Sequence, residues 1–133
     1  MGISQYLANK LIDHQLGKTA YTMPTVYVGV SSTTPTTLGT NVTEPSGGSY
    51  ARIATSGASW NAAASGATTN ATALQFAQAT ADWVSGANLT HVVLYDALTT
   101  GNFLGFGAVA VPKNALTGDT LGIPIDGVTV TLS

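Results

Sequence analysis

The hydrophobic spacing of this chain switches once, from four residues to two, and that switch limits it to a β-rich fold led by a single helix. Ile3, Leu7 and Leu11 recur every four residues, the spacing of one helix face. Ser4 stands where an N-cap hydroxyl accepts an N–H of the first turn. Gly17 follows Leu16 as a stop, where a positive φ costs glycine least. The helix is thus expected within residues 1–17. At about three turns it is not stable alone and must dock on a sheet or a neighbour.

From Thr25 the period is two. Thr25–Val30 reads as a strand with Val26, Val28 and Val30 on one face. Ser31 to Gly48 is a long loop rich in Thr, Pro and Gly. Tyr50–Thr55 reads as a second strand, and a Ser/Ala/Gly stretch from Ser56 to Thr69 carries Trp60 across. Ala73–Phe76, Leu89–Tyr95 and Phe103–Val111 follow, with Gly105 and Gly107 marking a bulge or a close backbone approach. At the end, Leu121, Ile123 and Ile125 alternate before Asp126-Gly127, and Val128, Val130 and Leu132 alternate after it. Asp-Gly favours a two-residue type I′ turn, which would pair Ile125 with Val128, Ile123 with Val130, and Leu121 with Leu132 on one face. Pro124 would leave a free edge there. Six or seven short strands without an internal repeat predict an all-β fold, a small antiparallel sandwich or barrel with one N-terminal helix and a C-terminal hairpin. The chain reads as one domain, 1–133, with the helix in 1–17 and the β domain in 25–133.

Charge restricts function. Four Lys+Arg, six Asp+Glu and two His make up the ionisable set of 133 residues, with no cysteine. Lys10, Lys18, Arg52 and Lys113 are too few and scattered for a nucleic-acid stripe. Zero cysteine excludes disulfides and thiolate metal sites. Met1–Tyr6 lacks a basic n-region, and Asp13 and His14 interrupt any apolar run, so no signal peptide is expected. No run approaches the roughly 20 apolar residues that span a bilayer. A net charge of −2 repels copies of the chain only weakly, which suits an assembled state.

No motif reads as a catalytic site. Glu44–Tyr50 looks like a phosphate loop but lacks the Gly-Lys-Ser/Thr ending and the following helix. Glu44 and Arg52 can form an ion pair bracketing it, or stand as two solvated charges. His91 and Asp96 lie five residues apart on a strand, hence on opposite faces, and no Gly-x-Ser-x-Gly elbow occurs. Glycosidases need two facing carboxylates, and none of the six acids is paired in sequence. Asn-x-Thr triplets at Asn41, Asn70 and Asn88 read as products of composition. Trp60 and Trp83, beside small residues, are expected as core anchors, with an interface role as the alternative. No catalytic residue, cofactor or metal ligand is therefore expected.

Several segments resemble a known family. They are Tyr27–Pro35, Val42–Arg52 (its Glu-Pro-Ser-Gly-Gly-Ser-Tyr-Ala-Arg run the most specific), Ala79–Trp83, Leu89–Ala97, Pro112-Lys113 and Gly118–Thr120. Together they are similar to small tailed-bacteriophage virion proteins, usually labelled phage tail fibre protein, some of whose look-alikes serve as capsid cement. The resemblance spans nearly the whole chain and implies a non-enzymatic virion structural protein made in the host cytoplasm. A fibre needs length from repeats or a coiled coil, and this chain has neither. The expectation is therefore a cement protein on the capsid exterior, with the major capsid protein and copies of itself as partners; the alternative is a tail or fibre-associated part that meets tail proteins. Neither nucleic acid nor membrane is an expected partner. The residues expected at a protein interface are Ile3, Leu7, Leu11, Glu44, Tyr50 and Arg52.

Overall fold

The computed structural model describes residues 2–132. Its strands are β1 (Gly2–Ile3), β2 (Tyr27–Ser31), β3 (Ile53–Ala54), β4 (Ala67–Thr69), β5 (Leu74–Gln75), β6 (Leu89–Tyr95), β7 (Phe103–Lys113), β8 (Gly122–Ile123) and β9 (Thr129–Thr131), and its one α-helix is α1 (Gln5–Gln15). The centre is an antiparallel five-stranded sheet in the order β1-β7-β6-β2-β3. Two ribbons, β4–β9 and β5–β8, accompany it. The small all-β fold with one leading helix is as the sequence reads.

Period-two patterning explains the layers. Val28, Val92, Leu94 and Leu104 of the sheet pack with Leu74 and Val128, so the ribbons close over that face. Val30 and Leu89 extend the same core to Phe76, Ala79, Trp83 and Ala115. Val93, Tyr95 and Phe103 point the other way and receive Val42 from the long loop. Both tryptophans anchor this core: Trp83 is buried and donates its indole N–H to Gly48 O at 2.9 Å, while half-buried Trp60 donates to Thr55 Oγ1 at 3.1 Å.

The helix has the expected caps. Ser4 Oγ accepts from Leu7 N at 3.1 Å, and Gly17 takes φ +75° beyond the Leu16 C-cap. Ile3, however, is not on the helix: it lies in β1, opposite Gly105. Gly105 permits that pairing, because a Cβ there would sit 2.6 Å from Gly2 O. The bulges of β7 fall elsewhere, in its pairing with β6. Leu104 is extra between the Leu94–Gly105 and Tyr95–Phe103 pairs, and Val109 to Pro112 stand opposite Thr90 alone.

Two expectations are corrected. The second strand covers Ile53–Ala54 only, rather than Tyr50–Thr55, because Tyr50 and Arg52 are drawn off onto a face of the sheet. The C-terminal hairpin does not form: β8 pairs with β5, and β9 with β4. Asn70 is the reason. Its buried Oδ1 accepts from Val128 N at 2.8 Å, and its Nδ2 donates to Pro124 O at 2.8 Å and Thr72 O at 2.9 Å. Its backbone N–H reaches Val128 O and its carbonyl accepts from Asp126 N. Asn70 therefore takes the groups through which the two arms would have met. The turn shifts back one residue, to Pro124–Gly127, closed by Gly127 N to Pro124 O at 2.9 Å with Asp126 at φ +62°. That is the sign pattern of a type II turn. Gly127 is not left-handed here; it is needed because a Cβ would meet Pro124 O at 2.8 Å. Ile125 and Leu132 are exposed as a result, not buried on a shared face.

Candidate functional site

The sequence places Glu44, Tyr50 and Arg52 within nine residues, and the fold closes them on one another over the sheet. Arg52 grips Glu44 with two bonds, Nη2 to Oε1 at 2.6 Å and Nε to Oε2 at 3.0 Å. Tyr50 Oη donates to Glu44 Oε2 at 2.6 Å and accepts from Val30 N at 3.1 Å. Val30 lies past the end of the β2–β3 pairing, so this phenol satisfies a strand edge that β3 no longer covers. Arg52 Nη1 donates to Ala97 O and Thr100 O, both at 2.8 Å, tying the β6–β7 turn to the clasp. Its guanidinium lies 3.6 Å from the centre of the Tyr95 ring, a cation–π contact.

Gly29 makes room for this arrangement. A Cβ there would lie 2.6 Å from Tyr50 Oη and 2.9 Å from Glu44 Oε2. The Arg52 and Glu44 side chains are 7% and 19% exposed, so the ion-pair reading holds and the solvated one does not. Burial pushes the Tyr50 phenol far above its ordinary pKa, and its bond to Glu44 pushes it further. Burial works against the Arg52 charge, but the bond and charge of Glu44 outweigh it and raise the guanidinium pKa. Burial also raises Tyr95, with Glu44 adding to it. All three clasp side chains are thus engaged inside the chain.

Four of the five remaining acids hold loops, two within their own turn and two across the chain. Asp82 Oδ1 accepts from Thr117 N at 2.9 Å and Thr117 Oγ1 at 3.2 Å. Asp96 accepts from Asn102 N and Nδ2 at 2.6 and 2.9 Å. Asp119 accepts from Leu116 N, and Asp126 from Thr69 Oγ1. A carboxylate already bonded to a loop is poorly placed to face another across a cleft. His91 shares a hydrogen bond with Thr90 Oγ1, and burial lowers its pKa. Among the described residues no group of three His, Cys, Asp or Glu could hold a metal, and no helix is long and apolar enough to cross a membrane. Of the three triplet asparagines, Asn70 is a buried structural amide and Asn41 bonds Thr34 O.

The long loop is held by its own hydroxyls. Buried Ser31 Oγ donates to Thr33 O and accepts from Thr43 N, Thr36 Oγ1 meets Thr40 Oγ1 at 2.7 Å, and Ser32 N reaches Thr43 O. Ser- and Thr-rich composition here does the bracketing that strands do elsewhere.

The hydrophobic residues expected at an interface divide. Leu7 packs on its own core. Ile3 and Leu11 line a shallow groove shared with Ile12, Leu16, Leu38 and Leu132, of which the last four are exposed. The sequence reading placed none of those four at an interface and set Leu132 in the hairpin, although the spacing of Ala8, Ile12 and Leu16 is itself a helical stripe.

A family model described as Gp80, podophage GP4 fiber I protein gp80, matches residues 2–131. The chain belongs to the Gp80 family. That membership makes it a phage virion component of a structural fibre family, in agreement with the resemblance in Tyr27–Pro35 and Val42–Arg52. No curated protein matches this Gp80-family chain. The match takes in the clasp and all of α1, so both belong to the family's domain.

Proposed function

We propose that this Gp80-family protein is a non-enzymatic structural subunit of a phage fibre, built to be held by neighbours and not to turn over a substrate. The family match over residues 2–131 carries this reading. The geometry supports it: Glu44, Asp82, Asp96, Asp119 and Asp126 are each engaged in holding the fold. The expectation of a capsid cement rests on compactness, which a fibre module shares, while the family description names a fibre. A single domain of this length has a radius of gyration of only about 14 Å, so a fibre built with it draws its length from further copies or other chains.

Quantitative gels and antibody labelling of purified virions test this. The fibre reading expects the protein on complete particles and none on tail-less heads. Hundreds of copies on tail-less heads would overturn it in favour of cement. Glycan turnover by the purified protein, lost in Asp82→Asn or Asp96→Asn, would overturn the non-enzymatic part.

A further inference from the structure

Strand β7 is covered for only part of its length. On the edge away from β6 it is met by β1 at Gly105 and Phe106 alone, yet it runs on to Lys113. Ser4 N reaches Leu104 O on that edge at 2.8 Å, and alternation from there turns the Ala108 N–H the same way, beyond the last β1 pair. On the β6 side, Val109 to Pro112 stand opposite Thr90 alone. Ala108, Ala110 and Val111 are exposed, Val111 at 65%. An apolar edge left open in this way is a template for another strand.

Beside this edge a groove opens into the core. Val30, Leu89 and Val92 of the sheet line it, with Ile123 and Val128 from the ribbon side. Val109 is half-buried and packs into the same core. Gly107 shares its side of the strand by alternation and fills no space there. Lys113, at the end of β7, is the one charged residue on the groove and has no ion-pair partner among the described residues.

We propose that this groove is a strand-addition site for a different protein, in which an extended segment of alternating apolar residues pairs antiparallel with Ala108–Val111, in line with β1, and sets a leading Asp or Glu against Lys113. The backbone edge selects an extended chain: main-chain bonds supply the affinity, and the groove takes every second side chain. Pro112 has no N–H to offer, so pairing stops at Val111 and the first residue of the partner comes level with Lys113. Ala108 to Lys113 measure about 20 Å of extended chain. Charge selects whose chain it is. Among the described residues no strand of this protein contains Asp or Glu. Glu44 and the aspartates at 82, 96, 119 and 126 are already engaged in loops, and Asp13 is on α1. A second copy therefore has no such strand to offer. The inference rests on this groove and stands wherever in the virion the subunit sits.

Fluorescence anisotropy with two labelled peptides, Asp-Val-Thr-Val-Thr-Val and its Lys-led counterpart, tests it. The Asp-led peptide is expected to bind about fivefold more tightly, the scale of an exposed ion pair. Lys113 is exposed, so Lys113→Glu is expected to reverse that preference with the fold unchanged. Ala108→Pro removes an N–H from the open edge and should weaken binding about tenfold without altering the circular dichroism spectrum. Two Asp-led peptides, each N-methylated along one of its two edges, give a readout that needs no protein variant: one should lose binding and the other keep it. Binding that ignores the leading charge, equal loss with both methylated peptides, or no binding at millimolar peptide would overturn the inference. So would binding that weakens as the protein is concentrated, which would seat a second copy in the groove.

Discussion

The clasp and the outer face of α1 invert the usual arrangement of a soluble domain. At the clasp, a glutamate, an arginine and a tyrosine are withdrawn from water and bonded to one another. At α1, Ile12 and Leu16 face water while Lys10 and Asp13 are half-buried. With ten Asp, Glu, Lys and Arg residues in all, using them to pin loops leaves little to solubilise the surface. The difference teaches how so uncharged a chain can fold: its polar groups hold long loops in one shape, and apolar groups are left exposed on α1. Polar removals at the clasp should therefore cost fold stability, and apolar removals on the outer side of α1 should cost little.

The largest effect is expected at the clasp. Arg52→Ala leaves Glu44 buried without its cation, and breaking such a pair costs about 3–5 kcal/mol, read as a lower urea midpoint. A loss under about 1 kcal/mol would mean that water replaces the guanidinium, and the contrast would fail on its polar side. Asn70→Ala comes next. It strips the acceptor from the buried Val128 N–H, and leaving such a group unsatisfied costs about 1–3 kcal/mol. Gly29→Val drives a side chain into Tyr50 Oη and Glu44 Oε2, and overpacking of this kind costs about 1–3 kcal/mol. Its near-ultraviolet circular dichroism should change with that of Tyr50, whereas an unaltered spectrum would show that the clasp yields freely.

Smaller effects sharpen the apolar side. Ser4→Ala removes the N-cap of α1, at about 0.5–2 kcal/mol. Leu16→Ser in dilute protein should shift stability by no more than about 0.5 kcal/mol, as surface changes do. A loss near that of a core leucine would mean that Leu16 packs within its own chain.

The sequence showed its local features and hid its distant ones. The cap at Ser4, the stop at Gly17, and the Leu89–Tyr95 strand obey rules written within a few residues, and each stands as read. The Glu44–Arg52 pair was legible too, because eight residues of loop bring the partners together. The hairpin was the best local pairing on offer, and it lost to Asn70, more than fifty residues upstream, whose amide no periodicity marks. Tyr50 and Arg52 looked like anchors for a partner by residue type. Only the folded arrangement shows that Val30 N, Glu44 and the Ala97–Thr100 turn already engage them. Ile12 and Leu16 were visible as a stripe but passed over, because the Leu7 stripe alone fulfilled the expectation of one buried face.

Hydrogen–deuterium exchange tests both halves of this contrast at once. The account predicts that the Val30 amide, held by the Tyr50 phenol under the clasp, is strongly protected, while amides of α1, none of whose residues is fully buried, exchange faster. Exchange along α1 as slow as at Val30, or fast exchange at Val30, would contradict it.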